Sequence, residues 1–259
     1  MKIGIFGLGV VGTAVYNGLV KKNLVYRYDI NGKYYDPEMV SRSSDIIFVC
    51  VPTPTIKGKQ DLSYVKKAVE TIEEYSANQR KTIVIKSTVL PGTTRSFATR
   101  FVYDTFIFNP EFLTARTANE DFLNQKQIIL GGEKLDEVEL LYKDSFPNIP
   151  IKRVSWETAE ILKYTCNTFY ATKVAFANTI YNACCKLDVD YNTVKELFIA
   201  NGWVAPTHLD VPGPDGATGY GGACLPKDTK AFISWGEEHG LVMSVLRGAE
   251  QLNSKVKDE

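Results

Sequence analysis

The run Gly219-Tyr220-Gly221-Gly222-Ala223-Cys224-Leu225-Pro226-Lys227-Asp228 sets one cysteine among glycines and just ahead of a lysine and an aspartate. Such a setting suits a nucleophile. Glycines permit backbone conformations barred to other residues and let a ligand approach the main chain. Pro226 fits the first turn of a helix, and a helix N-terminus, helped by the Lys227 charge, favours the thiolate of Cys224. On residue type alone the run also reads as a glycine-rich turn holding a buried structural thiol. Lys163 and Asn167 stand four residues apart in a helical stretch, so they share a face and can serve one pocket. There an ammonium stabilises an oxyanion and a carboxamide donates to the same centre. A solvated helix face fits the same pair.

A second constellation opens the chain. Gly7-Leu8-Gly9-Val10-Val11-Gly12 follows a predicted strand and begins a predicted helix, and Asp29 ends the next strand, as a dinucleotide fingerprint requires. The first glycine permits the tight turn, the second lets the main chain reach the pyrophosphate, and the third packs helix on strand. The N–H groups of the helix start then face phosphate. Asp29 accepts from the adenosine ribose and repels a 2′-phosphate, which favours NAD over NADP. Two later strand ends, Val51-Pro52-Thr53-Pro54-Thr55 and Lys86-Ser87-Thr88-Val89, fall where an open parallel sheet places its crevice. Val51, Thr53, Thr55, Ser87 and Thr88 are therefore expected beside the cofactor, although hydroxyls at such points also cap helices.

The elements that must hold these residues alternate in the first half. Strands are predicted at Lys2 to Phe6, Leu24 to Tyr28, Asp45 to Val51, Thr82 to Lys86, Thr105 to Phe108 and Gln127 to Leu130, with helices at Thr13 to Lys22, Leu62 to Ser76 and Gly92 to Phe101. That alternation predicts an α/β fold, a doubly wound parallel Rossmann-type sheet. After Pro147-Asn148-Ile149-Pro150 the pattern turns helical, with one long helix over about Trp156 to Leu187 and further helices at Asp190 to Ala200 and Asp228 to His239. The expectation is a dinucleotide-binding domain over 1–150 and a helical, dimerising domain over 151–259 that carries the cysteine loop. Residues Asn253 to Glu259 are polar and are expected to fray.

Composition narrows the partners. The 259 residues carry 30 basic and 30 acidic side chains, so no global field favours nucleic acid or an anionic membrane. No long apolar span appears, and the start runs at once into the glycine motif without a targeting segment. Five cysteines without a CxxC fit reduced thiols in a cytoplasmic setting, and two histidines without ligand spacing predict no metal site.

Taken together, these residues resemble the UDP-glucose/GDP-mannose dehydrogenase family. The resemblance runs from the glycine motif through Thr53-Pro54-Thr55, Lys86-Ser87-Thr88-Val89, Asn109-Pro110-Glu111-Phe112-Leu113 and Ala159-Glu160-Ile161-Leu162-Lys163-Tyr164 with Asn167, to the Cys224 segment. It implies a four-electron oxidation of a nucleotide-sugar primary alcohol, such as that of UDP-glucose, to the uronic acid used in polysaccharide synthesis, with two NAD reduced in turn. By resemblance, Cys224 is the nucleophile that carries a thiohemiacetal and then a thioester. Lys163 and Asn167 stabilise oxyanions, Asp228 assists with water or proton transfer, Thr88 places a water, and Glu111 serves in acid/base work. Tyr220, Gly221 and Lys227 stand on the substrate side, and the helical domain pairs two subunits.

Three departures from the family pattern are visible. Where the family has a second glutamate, this chain reads Thr114-Ala115-Arg116, so that either Glu111 suffices, Glu120 or Asp121 substitutes from a neighbouring turn, or hydrolysis of the thioester is impaired. The stretch from Asn31 to Ser44 is shorter than the family's helix-containing segment, with Lys33 as a ribose or phosphate neighbour. The chain ends at Glu259, where the family continues into a domain that grips UDP. Two other readings therefore stand beside the first: a two-electron dehydrogenase of the hydroxyacid type, and a scaffold that binds NAD without turnover.

Overall fold

The computed structural model describes residues 1–32, 34–76 and 79–257; Lys33 and the last two residues lie outside them. The chain divides into two compact units, the first formed by Met1–Pro54 with Gln60–Lys163, the second by Thr55–Lys59 with the chain from Tyr164 onward.

The first unit is built on a seven-stranded sheet in the order β2-β1-β3-β6-β7-β8-β9. Its strands are β1 (Lys2–Phe6), β2 (Leu24–Tyr28), β3 (Ile46–Val49), β6 (Thr82–Ile85), β7 (Thr105–Phe108), β8 (Ile128–Gly132) and β9 (Ile151–Val154). The missing numbers belong to a short hairpin, β4 (Thr55–Ile56) and β5 (Lys59–Gln60). Within the seven-stranded sheet all pairings are parallel except β7 with β8. Strands β3, β6 and β7 are buried throughout, and their runs Ile-Ile-Phe-Val, Thr-Ile-Val-Ile and Thr-Phe-Ile-Phe show why: a parallel strand covered on both faces reads as continuous apolar sequence.

Helices α1 (Val10–Leu19), α2 (Pro37–Ser43), α3 (Ser63–Tyr75), α4 (Thr93–Arg100), α5 (Ala118–Leu123) and α6 (Asp136–Ser145) flank this sheet, and two apolar clusters form. One joins Ala14, Val15 and Leu19 of α1 to Phe122 of α5 and Leu141 of α6. The other joins Val65, Val69 and Ile72 of α3 to Phe97 of α4. Helices α1 and α5 approach so closely that a Cβ at Gly18 would lie 2.4 Å from the Phe122 ring.

Four expectations change here. The segment 31–44 does hold a helix, α2, whose start is capped by Asp36 accepting from Met39 N at 2.7 Å and whose first turn carries Pro37. Its seven residues are too few to show amphipathic periodicity. The sheet continues past position 150 into β9, and the compact units divide between Lys163 and Tyr164, inside the long helix α7 (Trp156–Leu187). Strand β8 runs against β7, which a pattern of apolar runs does not encode. Of the residues expected to fray, Asn253 to Lys257 instead belong to α10 (Ser244–Lys257).

The second unit is helical: the C-terminal part of α7, then α8 (Tyr191–Ala200), α9 (Leu225–Glu238) and α10. Asp190 caps α8 by accepting from Asn192 N and Thr193 N. Ala171 and Ala175 of α7 pack with Tyr220 and with Ala249 of α10, while Ala177 and Cys184 pack with Tyr191 and Leu209. No described helix is long and apolar enough to cross a membrane.

Candidate functional site

The turn from β1 into α1 has the form a dinucleotide needs. Gly7 sits at φ +91°, and a Cβ there would stand 2.8 Å from the Cys50 carbonyl oxygen. A Cβ at Gly12 would stand 1.9 Å from the Gly7 carbonyl oxygen, so the third glycine is required by close packing of helix on turn. Gly9 differs: a Cβ there would meet nothing within 4 Å, and its φ of −68° needs no glycine. Internal packing therefore does not demand a glycine at 9, whereas approach of a ligand does. Gly9 also lacks a side chain to cap α1, so the Val10, Val11 and Gly12 N–H groups open the helix as bare donors. Asp29, at the end of β2, accepts from Leu8 N at 2.8 Å and from Asn31 N and Nδ2. Burial raises its pKa, but those donors prevail and hold the carboxyl below its usual range. An ionised carboxylate braced against the glycine turn suits a ribose diol, and the residues fit NAD.

At the neighbouring strand ends the hydroxyls have mixed duties. Ser87 Oγ donates to Val51 O at 2.7 Å and so fastens the end of β6 to that of β3. Thr53 and Thr88 are buried. Thr88 O accepts from Gln60 Nε2 at 2.8 Å, while Gln60 Oε1 accepts from Leu90 N at 3.0 Å, so one carboxamide holds this loop as a strand would. Thr55, in the second unit, donates to Lys227 O at 2.8 Å and ties the β4 turn to the start of α9.

Beyond β7 the chain enters Asn109-Pro110-Glu111, and here the first unit holds a buried charged cluster. Lys163 Nζ donates to Glu111 O at 2.7 Å and to Glu111 Oε1 at 2.9 Å. Lys163 is 3% exposed, which removes the solvated-face reading of its helix position. Burial would push the Glu111 carboxyl up, yet the Lys163 charge and the Leu113 N–H outweigh it and hold the group below its usual value. Behind this pair, Lys86 Nζ donates to Asn109 Oδ1 at 2.8 Å, and Tyr142 Oη donates to the same oxygen at 2.6 Å. Burial depresses the Lys86 pKa to about 8 despite the nearby Cys50 and Glu111. It pushes the Cys50 thiol up to about 12. Lys86 Nζ also lies 5.7 Å from the centre of the Phe122 ring. Sequence reasoning assigned no role to Lys86, Asn109, Tyr142 or Cys50; the KSTV motif, an ammonium at a strand end, was the available signal for the first.

Glu160, one turn before Lys163 on α7, accepts from Gly92 N at 2.7 Å and Thr94 N at 2.9 Å and so caps α4. The proposed substitutes for the missing glutamate fare differently. Asp121 accepts from Thr114 N and Thr117 Oγ1, which fixes the turn before α5, and Glu120 is exposed.

The second unit brings together Asn167 and Asp228, both buried, with Asn167 Nδ2 donating to Asp228 Oδ2 at 2.6 Å. Lys227 Nζ pairs with the other oxygen of Asp228. Cys224 is exposed and stands at the N-cap position of α9, with Pro226 in the first turn. The structure thus leaves no support for a buried structural thiol here. Gly221 is half-buried, a Cβ there falling 3.1 Å from Lys257 Nζ. The Tyr220 ring is buried, and its N–H and C=O are taken by Asn253, so those groups serve the loop itself.

Comparison with known proteins agrees with the two halves. Residues 18–144 match the NAD binding domain of the UDP-glucose/GDP-mannose dehydrogenase family, and residues 157–255 match its central domain. A UDP-glucose 6-dehydrogenase of Bacillus subtilis is 33% identical over 224 residues, which cover 83% of this chain and 47% of that protein. A GDP-mannose 6-dehydrogenase of Pseudomonas aeruginosa is 31% identical over 239 residues, 83% of this chain and 53% of that one. Among solved structures, a UDP-glucose dehydrogenase from the archaeon Pyrobaculum islandicum aligns with a TM-score of 0.89 at 27% identity, over 98% of this chain and 68% of that one. The chain spans about half the length of the curated relatives it matches. It belongs to the UDP-glucose/GDP-mannose dehydrogenase family, of which it carries the NAD-binding and central domains.

Proposed function

We propose that the chain oxidises the primary alcohol of a nucleotide sugar to the carboxylate in two steps, through a thioester on Cys224. The observation that carries this reading is the buried Glu111–Lys163 ion pair of the first unit; in the second unit Asn167 is bonded to Asp228, four residues beyond Cys224 in sequence. Buried ionisable groups held by specific partners cluster at functional sites.

Bound NAD supplies the electron acceptor for both oxidations. The residues of the chain do the rest. After the first oxidation the Cys224 thiolate adds to the aldehyde carbon, forming a C–S bond, while Lys163 and Asn167 donate to the oxygen that becomes anionic. After the second, a water held by Thr88 attacks the thioester. Glu111 and Asp228 take up its protons, the C–S bond breaks, and the thiolate leaves. Overall one alcohol, one water and two NAD give one carboxylate, two NADH and three protons. Tyr220, Gly221 and Lys227 belong to the substrate side of this scheme, and the active form is a dimer joined through the helical unit.

The test is a stoichiometry. Wild-type protein incubated with NAD and UDP-glucose or GDP-mannose is expected to yield two NADH per sugar, and Cys224→Ala to yield no carboxylate. One NADH per sugar, unaffected by alkylation of Cys224, would overturn the thioester route. The engagement of Asp121 in a turn and the alanine at 115 favour a second reading, NAD binding with the acyl-enzyme left unhydrolysed; its signature is a burst of two NADH per enzyme with no further turnover.

A further inference from the structure

Two buried asparagines, remote in sequence from the cysteine loop, hold that loop by its backbone. Asn253 of α10 accepts from Tyr220 N at 2.6 Å through Oδ1 and donates from Nδ2 to Tyr220 O at 3.1 Å. Asn178 of α7 accepts from Gly219 N at 3.1 Å. Next to them, Thr218 Oγ1 donates to Val256 O at 2.6 Å. Three consecutive residues of an irregular loop are thereby tied to helices as if to a neighbouring strand.

The residue types are not those that packing alone would choose. Asn253 shares the inward face of α10 with Ala249 and Val256, and a buried carboxamide there costs desolvation that only the loop's own N–H and C=O groups offset. Asn178 lies on α7 beside the buried Ala175 and Ala177 and meets the same cost. Gly219 completes the fit. It adopts φ +72°, and a Cβ there would come within 2.5 Å of Asn253 Oδ1, so the carboxamide and the bare glycine need each other. The Tyr220 ring is anchored as well, in the cluster formed with Ala171, Ala175 and Ala249.

Only Gly221, Gly222 and Ala223 separate this anchor from Cys224, which stands at the N-cap position of α9. That helix is held from its other side by Asn167 on Asp228 and by Thr55 on Lys227 O. We infer that Asn253 and Asn178 are positioning residues for Cys224: by clamping Gly219 and Tyr220 they fix the course of the glycine linker and so the place and accessibility of the sulfur. The inference rests on the thioester reading for its bearing on turnover, but the clamp itself can be tested without it.

The experiment compares wild type with Asn253→Leu, which keeps volume and packing, and with Asn178→Ala, which removes the bond to Gly219 N together with one to Val174 O within α7. Three quantities are read: hydrogen exchange of the Gly219 and Tyr220 amides, the iodoacetamide alkylation rate of the peptide holding Cys224, and kcat against the KM for NAD. Alkylation of the exposed Cys185 in the same samples reports on an unrelated thiol of the helical unit. Loss of the clamp is expected to speed exchange of these amides by about fivefold or more, as removal of a hydrogen bond of ordinary strength does. The Cys224 alkylation rate should change by a similar factor and kcat should fall, with Cys185 alkylation and the KM for NAD unmoved.

Folded variants with wild-type amide exchange and wild-type Cys224 alkylation would overturn the proposal. Should Asn253→Leu not fold, Asn178→Ala decides by the same readings. If Cys224→Ala retains two NADH per sugar, the thioester reading falls, whereas the exchange and alkylation results still judge the clamp.

Discussion

Glu111 is a carboxylate that burial would neutralise and that the Lys163 ammonium, helped by the Leu113 N–H, keeps charged. Its folded pKa lies below the ordinary value of 4.5, so the pair stabilises the fold fully above about pH 4.5, and that contribution is lost as pH falls through the lowered value. Removing one partner is worse than removing both. Lys163→Met leaves the carboxylate stranded and is expected to cost about 3–5 kcal/mol in urea unfolding at pH 7. The double substitution Lys163→Met with Glu111→Leu is expected to recover much of that loss while remaining inactive. A single Lys163→Met with unchanged stability would mean that the ion pair does not exist in solution. The depressed Lys86 pKa of about 8 works in the opposite sense: its buried charge costs stability below that pH, and the cost fades as pH rises toward the unfolded value near 10.5.

The β1–α1 turn separates two kinds of glycine, and the distinction is testable. Gly12→Ala places a methyl 1.9 Å from a carbonyl oxygen and is expected to unfold or aggregate the protein. Gly9→Val meets nothing within 4 Å and is expected to leave the melting temperature unchanged while abolishing its rise with added NAD. A Gly9→Val protein that still gains stability from NAD would place the cofactor elsewhere. Most of this turn was legible in the sequence, since a strand, three spaced glycines, a helix and an acid at the next strand end constrain one another. So was the long helix, whose apolar repeat runs over 32 residues. Helices α2 and α5, of seven and six residues, were not, because elements so short draw their stability from tertiary contact rather than period. Helix α10 was misread for a different reason. Its polar Asn253 faces inward and bonds the loop of Tyr220, a pairing no local pattern reveals. The catalytic candidates were legible as residue types, but their partners were not: nothing in the spacing of Glu111 and Lys163, 52 positions apart, announces an ion pair.

The helical unit presents Phe169, Phe176, Leu197 and Trp203 to solvent, the last 88% exposed. Large aromatic groups left in water mark association surfaces, and a two-fold dimer is the commonest closed assembly. Phe176→Glu is expected to halve the mass measured by light scattering at micromolar concentration; a wild-type monomer under those conditions would remove the dimer from the scheme. In the sheet-based unit, one aromatic ring links matters that look separate. Phe122 lies against the bare backbone of Gly18 on one side, while Lys86 Nζ approaches that same ring to 5.7 Å. The helix that follows the glycine turn and the depressed ammonium behind the carboxylate thus share a partition one benzene thick. A methyl added at 18 would lean on that partition, and the disturbance would be felt as a titration change two shells away, with no polar atom altered.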